Sequence, residues 1–431
     1  MVMNAPSDDA VNQRKWPALR DVLGPGLITG ASDDDPSGIA TYSQAGAQFG
    51  YSLGWTLLFT YPLMCSIQLI SAQIGRVTGR GLAGNIRRFF PAWMLYAVVG
   101  LLAAANTINL GADLGAMAAA LHLLVDGPTV AYVAGFAIVT VLAETYVRYA
   151  RYASGLRWLT LSLFAYVATV FVVGVPWLTV AKNLVVPHIT LAGGYLTVVV
   201  AVFGTTISPY LFFWQAGEEV EDEKEDPAAG PLISAPQQAP VQMARMQVDT
   251  LVGMGLSNII ALFIMLTTAA TLNAHGVTDI QTSSQAAEAL RPIAGRFAFT
   301  IFALGIIGTG LLAVPVLAGS AAYAVGEALR WRVGLAQRPG RAPAFYATIA
   351  CATLVGAILN FTPLDPIKAL FWSAVINGVA AVPIMIMIML MASRTTVMGQ
   401  FALRPMLKGL GWLATAVMAA AAVGMFATWG R

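Results

Sequence analysis

Long apolar segments separated by short polar stretches make up most of this chain. Each segment is about 20 residues long, the length that spans a bilayer as a helix, and lacks the alternation of an outer-membrane barrel strand. The pattern therefore predicts an all-α protein with membrane-spanning helices. We count eleven spans, at 23–47, 52–75, 92–124, 128–147, 156–177, 194–216, 250–273, 296–328, 343–361, 366–392 and 409–428.

Composition agrees with this pattern. Hydrophobic residues make up 58% of the 431 residues and charged residues only 10%, whereas a soluble domain carries about 25% charged residues. The polar start, through Arg20, shows no secretory signal peptide. Cys65 and Cys351 both lie in apolar runs, which favours small core residues over a disulfide or thiolate metal site.

Basic residues are distributed unequally between the two sides. If the N-terminus is cytoplasmic, all but five of the 24 Lys and Arg fall in cytoplasmic segments or span ends, the exceptions being Lys182, Arg291, Arg296, Lys368 and Arg431. We expect a bacterial-type inner membrane protein with its C-terminus outside. The net charge of +3 reflects these loops, and nothing in the sequence suggests nucleic-acid binding.

The order of spans predicts two halves of five helices each. We assign 1–20 to a cytoplasmic tail, 21–180 to the first repeat, 190–392 to the second repeat and 405–431 to the eleventh helix and C-terminus. Within the second repeat, 217–245 is predicted to be a cytoplasmic loop. It contains the acidic run 218–226, which is either a solvated loop or a cation-attracting vestibule or regulatory site.

Two spans in corresponding positions are predicted to be broken at the membrane midplane. Span one begins at Gly24–Gly26, breaks at the Asp-Pro-Ser-Gly segment 35–38 and resumes at Ile39. In span six, Pro209 removes a helical hydrogen bond and predicts a break near 205–208. Matched interruptions in two halves are the best sequence indication of a midplane binding site.

Three consecutive aspartates, 33–35, accompany the first break. A carboxylate at membrane depth costs about 3 kcal/mol on insertion scales. No Lys or Arg falls deep within a span to neutralise these acids, so a cation is the expected partner. Asp35 is the principal candidate ligand, and Asp34 and Ser32 are candidates beside it.

The remaining candidate ligands are also oxygen donors. Thr205 and Ser208 lie at the second break, and Asn377 in span ten faces either the substrate or a neighbouring helix. Such donors suit hard ions such as Mg²⁺, Ca²⁺ and Mn²⁺. In span three, Asn106, Asn109 and Asp113 share a helix face, which predicts either a hydrogen-bonded stripe between helices or a hydrophilic path away from the site; Tyr210 is a further candidate pathway residue.

At these residues the chain resembles the natural resistance-associated macrophage protein (NRAMP) family of divalent-metal transporters. The similarity runs through 24–26, 35–41, 45–53, 71–72, 75–80 and 112–115. It implies a LeuT-type inverted repeat that works by alternating access. It also implies Asp35 as the main metal ligand, with Gly38, Ser208 and Thr205 lining the site.

The sequence departs from the family pattern where metal selectivity is set. The family's Asp-Pro-Gly-Asn is Asp-Pro-Ser-Gly at 35–38, and its Met-Pro-His is Ser-Pro-Tyr at 208–210, while its acidic residue after the span-three Asp is Ala116. These departures are similar to the NRAMP-related magnesium-transporter branch. The resemblance implies transport of largely hydrated Mg²⁺ and Mn²⁺ without strong proton coupling.

Two alternatives remain open from the sequence. One is a conventional proton-coupled Mn²⁺/Fe²⁺ symporter, and the other is a sodium-coupled organic-solute carrier on the same fold. The chain shows no nucleophile–base set, so we expect no enzyme activity and no cofactor. The expected partners are divalent metal ions and the lipid bilayer, and we expect a monomer.

Overall fold

The computed structural model of the protein describes residues 29–30, 32–147, 156, 159, 161–362 and 365–429. Their regular secondary structure consists of helices, without strands. The tail 1–20 and the predicted helix start at Gly24–Gly26 lie outside the described residues, as does the basic stretch 148–151.

The helices follow the predicted spans. We number the α-helices in chain order: α1 Pro36–Phe49, α2 Gly54–Thr78, α3 Leu82–Phe89, α4 Ala92–His122, α5 Thr129–Tyr146, α6 Phe164–Val172, α7 Trp177–Val185, α8 Gly193–Thr206, α9 Pro209–Glu225, α10 Ala239–Thr271, α11 Ser283–Glu288, α12 Arg291–Ala294, α13 Ala298–Leu329, α14 Pro343–Leu359, α15 Pro366–Ala392, α16 Thr395–Met398 and α17 Pro405–Ala427. Short 3₁₀ turns occupy Gly50–Leu53, Leu161–Leu163, Pro236–Gln238, Asn273–His275, Gly295–Phe297 and Gly399–Phe401.

In the part of the chain that the structure describes, each of the eleven predicted spans contains helix. Among the described residues, eight helical stretches are long and apolar enough to cross a membrane, and a bent pair, Leu161–Val172 with Trp177–Val185, adds a ninth. One of the eight, Pro36–Thr78, contains two predicted spans. The apolar α14 has only 17 residues and is shorter than the rest.

The sequence predicts the fifth span as one helix over 156–177, and this prediction was wrong. In the described part, α6 ends at Val172, and the chain bends by 117° before α7 begins. Gly174 and Pro176 lie in this bend. Proline lacks the N–H that would continue the helix, which explains the end of the span.

The prediction of a loop over 217–245 was also wrong at both ends. The acidic run continues α9 to Glu225, and α10 already begins at Ala239. Arg245 of α10 forms an ion pair with Glu219 and lies 3.8 Å from Asp222. Neutralisation by this neighbouring helix explains why an acidic sequence can stay helical here.

Helix α4 packs against α13, α14 and α15. Around it, α1 packs on α10, and α8 packs on α15. The backbones of α8 and α15 approach closely at Gly204 and Gly378: a Cβ added to Gly204 would lie 2.0 Å from the carbonyl oxygen of Ala374 and 2.4 Å from the nitrogen of Gly378. Small residues allow this kind of approach between membrane helices.

Candidate metal centre

The break in the first span is organised by Asp35, which is the N-cap of α1. Its Oδ1 accepts hydrogen bonds from the backbone N–H of Gly38 at 2.6 Å and from the hydroxyl of Ser37 at 2.7 Å. Pro36 occupies the first turn, where a missing N–H costs nothing. The helix therefore resumes at Pro36, three residues before the predicted Ile39. Asp35 is 1% exposed.

The break in the sixth span falls where the sequence predicts it. Helix α8 ends at Thr206 and α9 starts at Pro209, with Ile207 and Ser208 in non-helical conformations. The Ser208 hydroxyl lies 2.8 Å from the carbonyl oxygen of Gly204 and 2.9 Å from that of Thr205. This hydroxyl therefore donates its hydrogen to carbonyl groups at the end of α8. The lone pairs of its oxygen remain available to bind a cation or another ligand.

The two breaks meet at Gly38. A Cβ added to Gly38 would lie 3.1 Å from Oγ1 of Thr205 and 3.3 Å from the carbonyl oxygen of Asp33. Glycine at this position thus lets the first turn of α1 approach the end of α8. The structure brings together the Asp35 segment and the Thr205–Ser208 segment, as expected for a midplane site.

The neighbouring aspartates face a different helix. Ser257 of α10 places its Oγ 2.6 Å from Oδ2 of Asp33 and 3.1 Å from Oδ1 of Asp34. Both aspartates are buried, at 1% and 6% exposure. Asp34 therefore lies on the α10 side of the break while Asp35 faces α4, and a role for Asp34 as a direct metal ligand stays a prediction.

The polar residues of α4 fall into two groups, and the first group, Asn109 and Asp113, lies near Asp35. The Nδ2 group of Asn109 donates to Oδ2 of Asp35 at 3.0 Å. One turn further on, Asp113 is fully buried and interacts electrostatically with Asp35; its carboxyl lies beside the Ser37 backbone, but neither oxygen reaches hydrogen-bond geometry among the described residues. These two residues belong to the candidate centre.

Asn106, in contrast, belongs to the packing between helices. Its Nδ2 donates to the carbonyl oxygen of Leu317 at 3.0 Å and to the hydroxyl of Ser320 at 2.7 Å, both on α13. Of the two predictions made for this polar face, the hydrogen-bonded stripe between helices therefore applies to Asn106. Its expected pathway role receives no support from these contacts.

The last candidates lie around the same centre. Asn377 of α15 is 1% exposed, and both of its side-chain polar atoms lack a hydrogen-bond partner in the described part of the chain. Tyr210 donates its hydroxyl to the carbonyl oxygen of Ser32 at 3.0 Å, joining the helical segment before Asp35 to α9. A ligand role for Ser32 or Asn377 stays a prediction.

The centre is acidic and has no basic counterpart in the ion pairs of the described residues. Those pairs join Arg245 to Glu219 and Asp222, and Arg291 to Glu288. Among the same residues, no three His, Cys, Asp or Glu side chains are arranged around one point in a way that could hold a metal ion. The oxygen groups near Asp35 are hydroxyl, amide and carbonyl groups together with the carboxyl groups of Asp113 and the two preceding aspartates.

The sequence analysis did not predict the hydrogen bonds that side chains of α2 and α10 form with the two broken spans. Ser257 carried no signal beyond being a polar residue in an apolar helix. Gln68 of α2 and Gln215 of α9, mid-span glutamines visible in the sequence, form a buried chain: Nε2 of Gln68 donates to the Leu211 carbonyl oxygen at 2.9 Å and to Gln215 at 2.5 Å, and Gln215 donates to Thr250 at 3.1 Å. Buried amides of this kind bind helices to one another.

Comparison with known sequences gives matches over nearly the whole chain. A family described as natural resistance-associated macrophage protein-like (Nramp) matches residues 26–428. A protein named divalent metal cation transporter MntH from Klebsiella pneumoniae is 25% identical over 403 residues, covering 92% of this chain and 91% of the relative. A protein of the same name from Burkholderia ambifaria is 28% identical over 418 residues, covering 93% and 87%.

Solved structures share the fold. The manganese transporter of Eremococcus coleocola, in complex with an aromatic bis-isothiourea substituted compound, matches with a TM-score of 0.75 at 17% identity and covers 98% of this chain and 89% of that one. A nucleobase-cation-symport-1 family transporter in a closed conformation matches with a TM-score of 0.54 at 14% identity, covering 95% and 94%. These likenesses confirm the predicted LeuT-type arrangement with helices one and six broken.

Proposed function

The chain belongs to the natural resistance-associated macrophage protein-like family, and on this premise we propose that it carries divalent metal ions, Mg²⁺ and Mn²⁺, across a membrane. The names of its relatives, divalent metal cation transporters and a manganese transporter, support the divalent class. None of these names describes an enzyme, in agreement with the expectation from the sequence.

One observation carries the proposal: the Asp35 carboxylate is buried at the meeting point of two helix breaks, and its described partners are neutral donors only. Ser37, Gly38 and Asn109 orient this carboxylate without neutralising it. A buried carboxylate without a counter-charge is costly in a low-dielectric interior. In the proposal, a divalent cation supplies the missing charge.

The ion preference follows from the chemistry of the donors. Besides Asp35, the candidate ligands are Thr205, Ser208, Ser32, Asp34 and Asn377, with Gly38 lining the site. All of them offer oxygen, and Mg²⁺ prefers oxygen and retains several of its own waters. The proposal is therefore an ion held mainly by the Asp35 carboxylate, with a shell of water in contact with the other oxygen groups.

Weak proton coupling is the second part of the proposal. The three histidines of the chain, His122, His188 and His275, are exposed residues away from both breaks. The opposing candidate is a proton-coupled Mn²⁺/Fe²⁺ symporter, for which Asp113 would have to accept the proton. Acidification of the vesicle lumen on addition of Mn²⁺ would support the symporter and contradict our proposal.

The test is uptake of Mg²⁺ into proteoliposomes, followed with an encapsulated indicator. Asp35→Asn removes the charge but keeps an N-cap acceptor for Gly38, because asparagine caps helices as well as aspartate does. We expect at least about tenfold slower uptake, which corresponds to about 1.4 kcal/mol. The control is Asp226→Asn, an exposed aspartate whose Oδ1 also accepts a backbone hydrogen bond, from Ala228 at 2.9 Å.

Equal uptake by the Asp35 and Asp226 variants would refute the site. The same vesicles loaded at equal pH inside and outside, with Mg²⁺, Mn²⁺ or Ca²⁺ added in turn, give the ion preference. Faster transport of organic solute in a sodium gradient than of any divalent ion would instead favour the sodium-coupled carrier.

We also propose the topology and organisation given by the sequence. The N-terminus lies in the cytoplasm and the C-terminus outside a bacterial-type inner membrane, the first repeat ends near 180 and the second near 392, and the protein works as a monomer. The basic span ends support the orientation. Labelling of single cysteines from each side of the membrane tests it.

A further inference from the structure

The hydrogen bonds of Asp35 come from two sources. Ser37 and Gly38 hold Oδ1 within the first turn of the same helix, so they fix the carboxylate relative to α1 only. Asn109 holds Oδ2 from α4, 74 residues away, and is the one inter-helix hydrogen bond to Asp35 among the described residues. Asn109 therefore fixes the carboxylate relative to α4 and the helices packed on it.

The orientation of the Asn109 amide follows from its partner. A carboxylate accepts hydrogen bonds and cannot donate them, so the NH₂ group has to face Asp35 and the amide oxygen has to face away from it. That oxygen, Oδ1, is buried in a residue with 0% exposure and has no hydrogen-bond partner among the described residues. A buried carbonyl oxygen without a partner is unfavourable, and a cation or its bound water would satisfy it.

The residues one turn away from Asn109 on α4 distinguish a ligand position from a packing position. Asp113, one turn later on α4, also lacks a hydrogen-bond partner in the described part of the chain and interacts electrostatically with Asp35. Asn106, one turn earlier, uses its amide on α13 instead. The polar face of α4 therefore turns from helix packing to the candidate centre between Asn106 and Asn109.

We propose that Asn109 is a positioning residue for Asp35 whose amide oxygen faces the transported ion through the ion's water shell. This inference rests on the proposed function, since it assigns a role within that site. It makes α4 a contributor to ion binding alongside the two broken helices. It also explains why an amide, with a donor and an acceptor, stands at position 109: a carboxylate there would repel Asp35, and an aliphatic residue would leave Oδ2 without its donor.

The positioning role is tested with a pair of variants one turn apart. Asn109→Leu and Asn106→Leu each remove a fully buried amide from α4, but only the first removes a contact with Asp35. In Mg²⁺ uptake we expect Asn109→Leu to raise KM about tenfold or more with a smaller change in maximal rate, because a hydrogen bond to a charged group is lost. Asn106→Leu should lower thermal stability and leave KM within about twofold of the original protein.

The ligand role is tested by exchanging the two side chains. The double variant Asp35→Asn with Asn109→Asp keeps a hydrogen-bonded Asn–Asp pair and moves the charge to α4. If the side chain at 109 faces the ion, the double variant regains Mg²⁺ uptake at least about tenfold above Asp35→Asn alone. This arm remains informative if Asn109→Leu fails to fold, which elution in size-exclusion chromatography reports.

The outcomes separate this inference from the proposed function. If the unaltered protein carries Mg²⁺, Asp35→Asn is impaired, and Asn109→Leu has the KM of Asn106→Leu, then the positioning role is wrong and the transporter proposal stands. No gain from the exchange would overturn the ligand role. If Asp35→Asn carries Mg²⁺ as fast as the unaltered protein, the proposed site itself fails, and the role of Asn109 fails with it.

Discussion

The crossing of α8 and α15 can be tested with a single methyl group at Gly204. A Cβ at this position would meet backbone on the opposite helix, 2.0 Å from the carbonyl oxygen of Ala374 and 2.8 Å from Cα of Gly378. To restore an ordinary contact of 3.4 Å, the two helices would have to separate by about 1.4 Å. No flexible side chain stands in the way, so Gly204→Ala has to move backbone.

The expected effect has two components. Overpacking a buried site costs about 1–3 kcal/mol, and the gain of about 1 kcal/mol from replacing glycine by alanine within a helix offsets part of it. The displacement falls one residue before Thr205, whose Oγ1 lies against Gly38. We therefore expect Gly204→Ala to lower the apparent melting temperature in detergent and to slow Mg²⁺ uptake by about tenfold or more, by analogy with other displaced functional groups.

Gly100→Ala is the matched control. Gly100 lies within α4 at an exposed position, and a Cβ there would have nothing within 4 Å. This variant gains the helical preference of alanine without the clash, so its melting temperature and uptake should equal or exceed those of the original protein. If Gly204→Ala behaves like Gly100→Ala in both measurements, the close crossing and its importance for the site are refuted.

Two further variants test the site and the end of the bundle where Glu327 packs against α3. Ser208→Met should raise the ratio of Cd²⁺ to Mg²⁺ uptake, because a thioether favours softer ions; an unchanged ratio would mean that position 208 does not face the ion. Glu327→Ala should reduce the free energy of unfolding by about 1–3 kcal/mol, since its carboxylate accepts the backbone N–H groups of Gly81 and Gly84, each at 2.8 Å. Thermal melts compare it with Glu225→Ala, an exposed carboxylate at the end of α9, and equal melting temperatures would contradict this anchoring role.

The spans could be predicted because hydropathy alone determines them. A segment of about 20 apolar residues has few alternatives to a membrane helix, so each of the eleven predicted spans contains helix in the described part of the chain, although the fifth is bent. Prediction failed where tertiary partners decide the structure. The acidic end of α9 reads as a loop until Arg245 of another helix is placed beside Glu219.

The candidate site could be predicted in part. Aspartates with Pro36 inside an apolar run indicated the first break, Pro209 indicated the second, and the structure places Gly38 against Thr205 there. The pairing of Asn109 with Asp35, and of Ser257 with Asp33, required knowledge of how α4 and α10 rotate about their axes. Helical periodicity gives the face of a single helix but not the partner that the face meets.

The bond between Tyr210 and Ser32 has a mechanical consequence. The break at Asp35 separates the helical residues before it from α1, and the break at Ile207 and Ser208 separates α9 from α8. The tyrosine hydroxyl links the segment before Asp35 to α9 at 3.0 Å. In the proposed orientation both segments lie on the cytoplasmic half. We therefore expect the segment before Asp35 and α9 to move together as one rigid unit. Spin labels placed on each of them should keep a constant separation while the cytoplasmic half of the bundle opens.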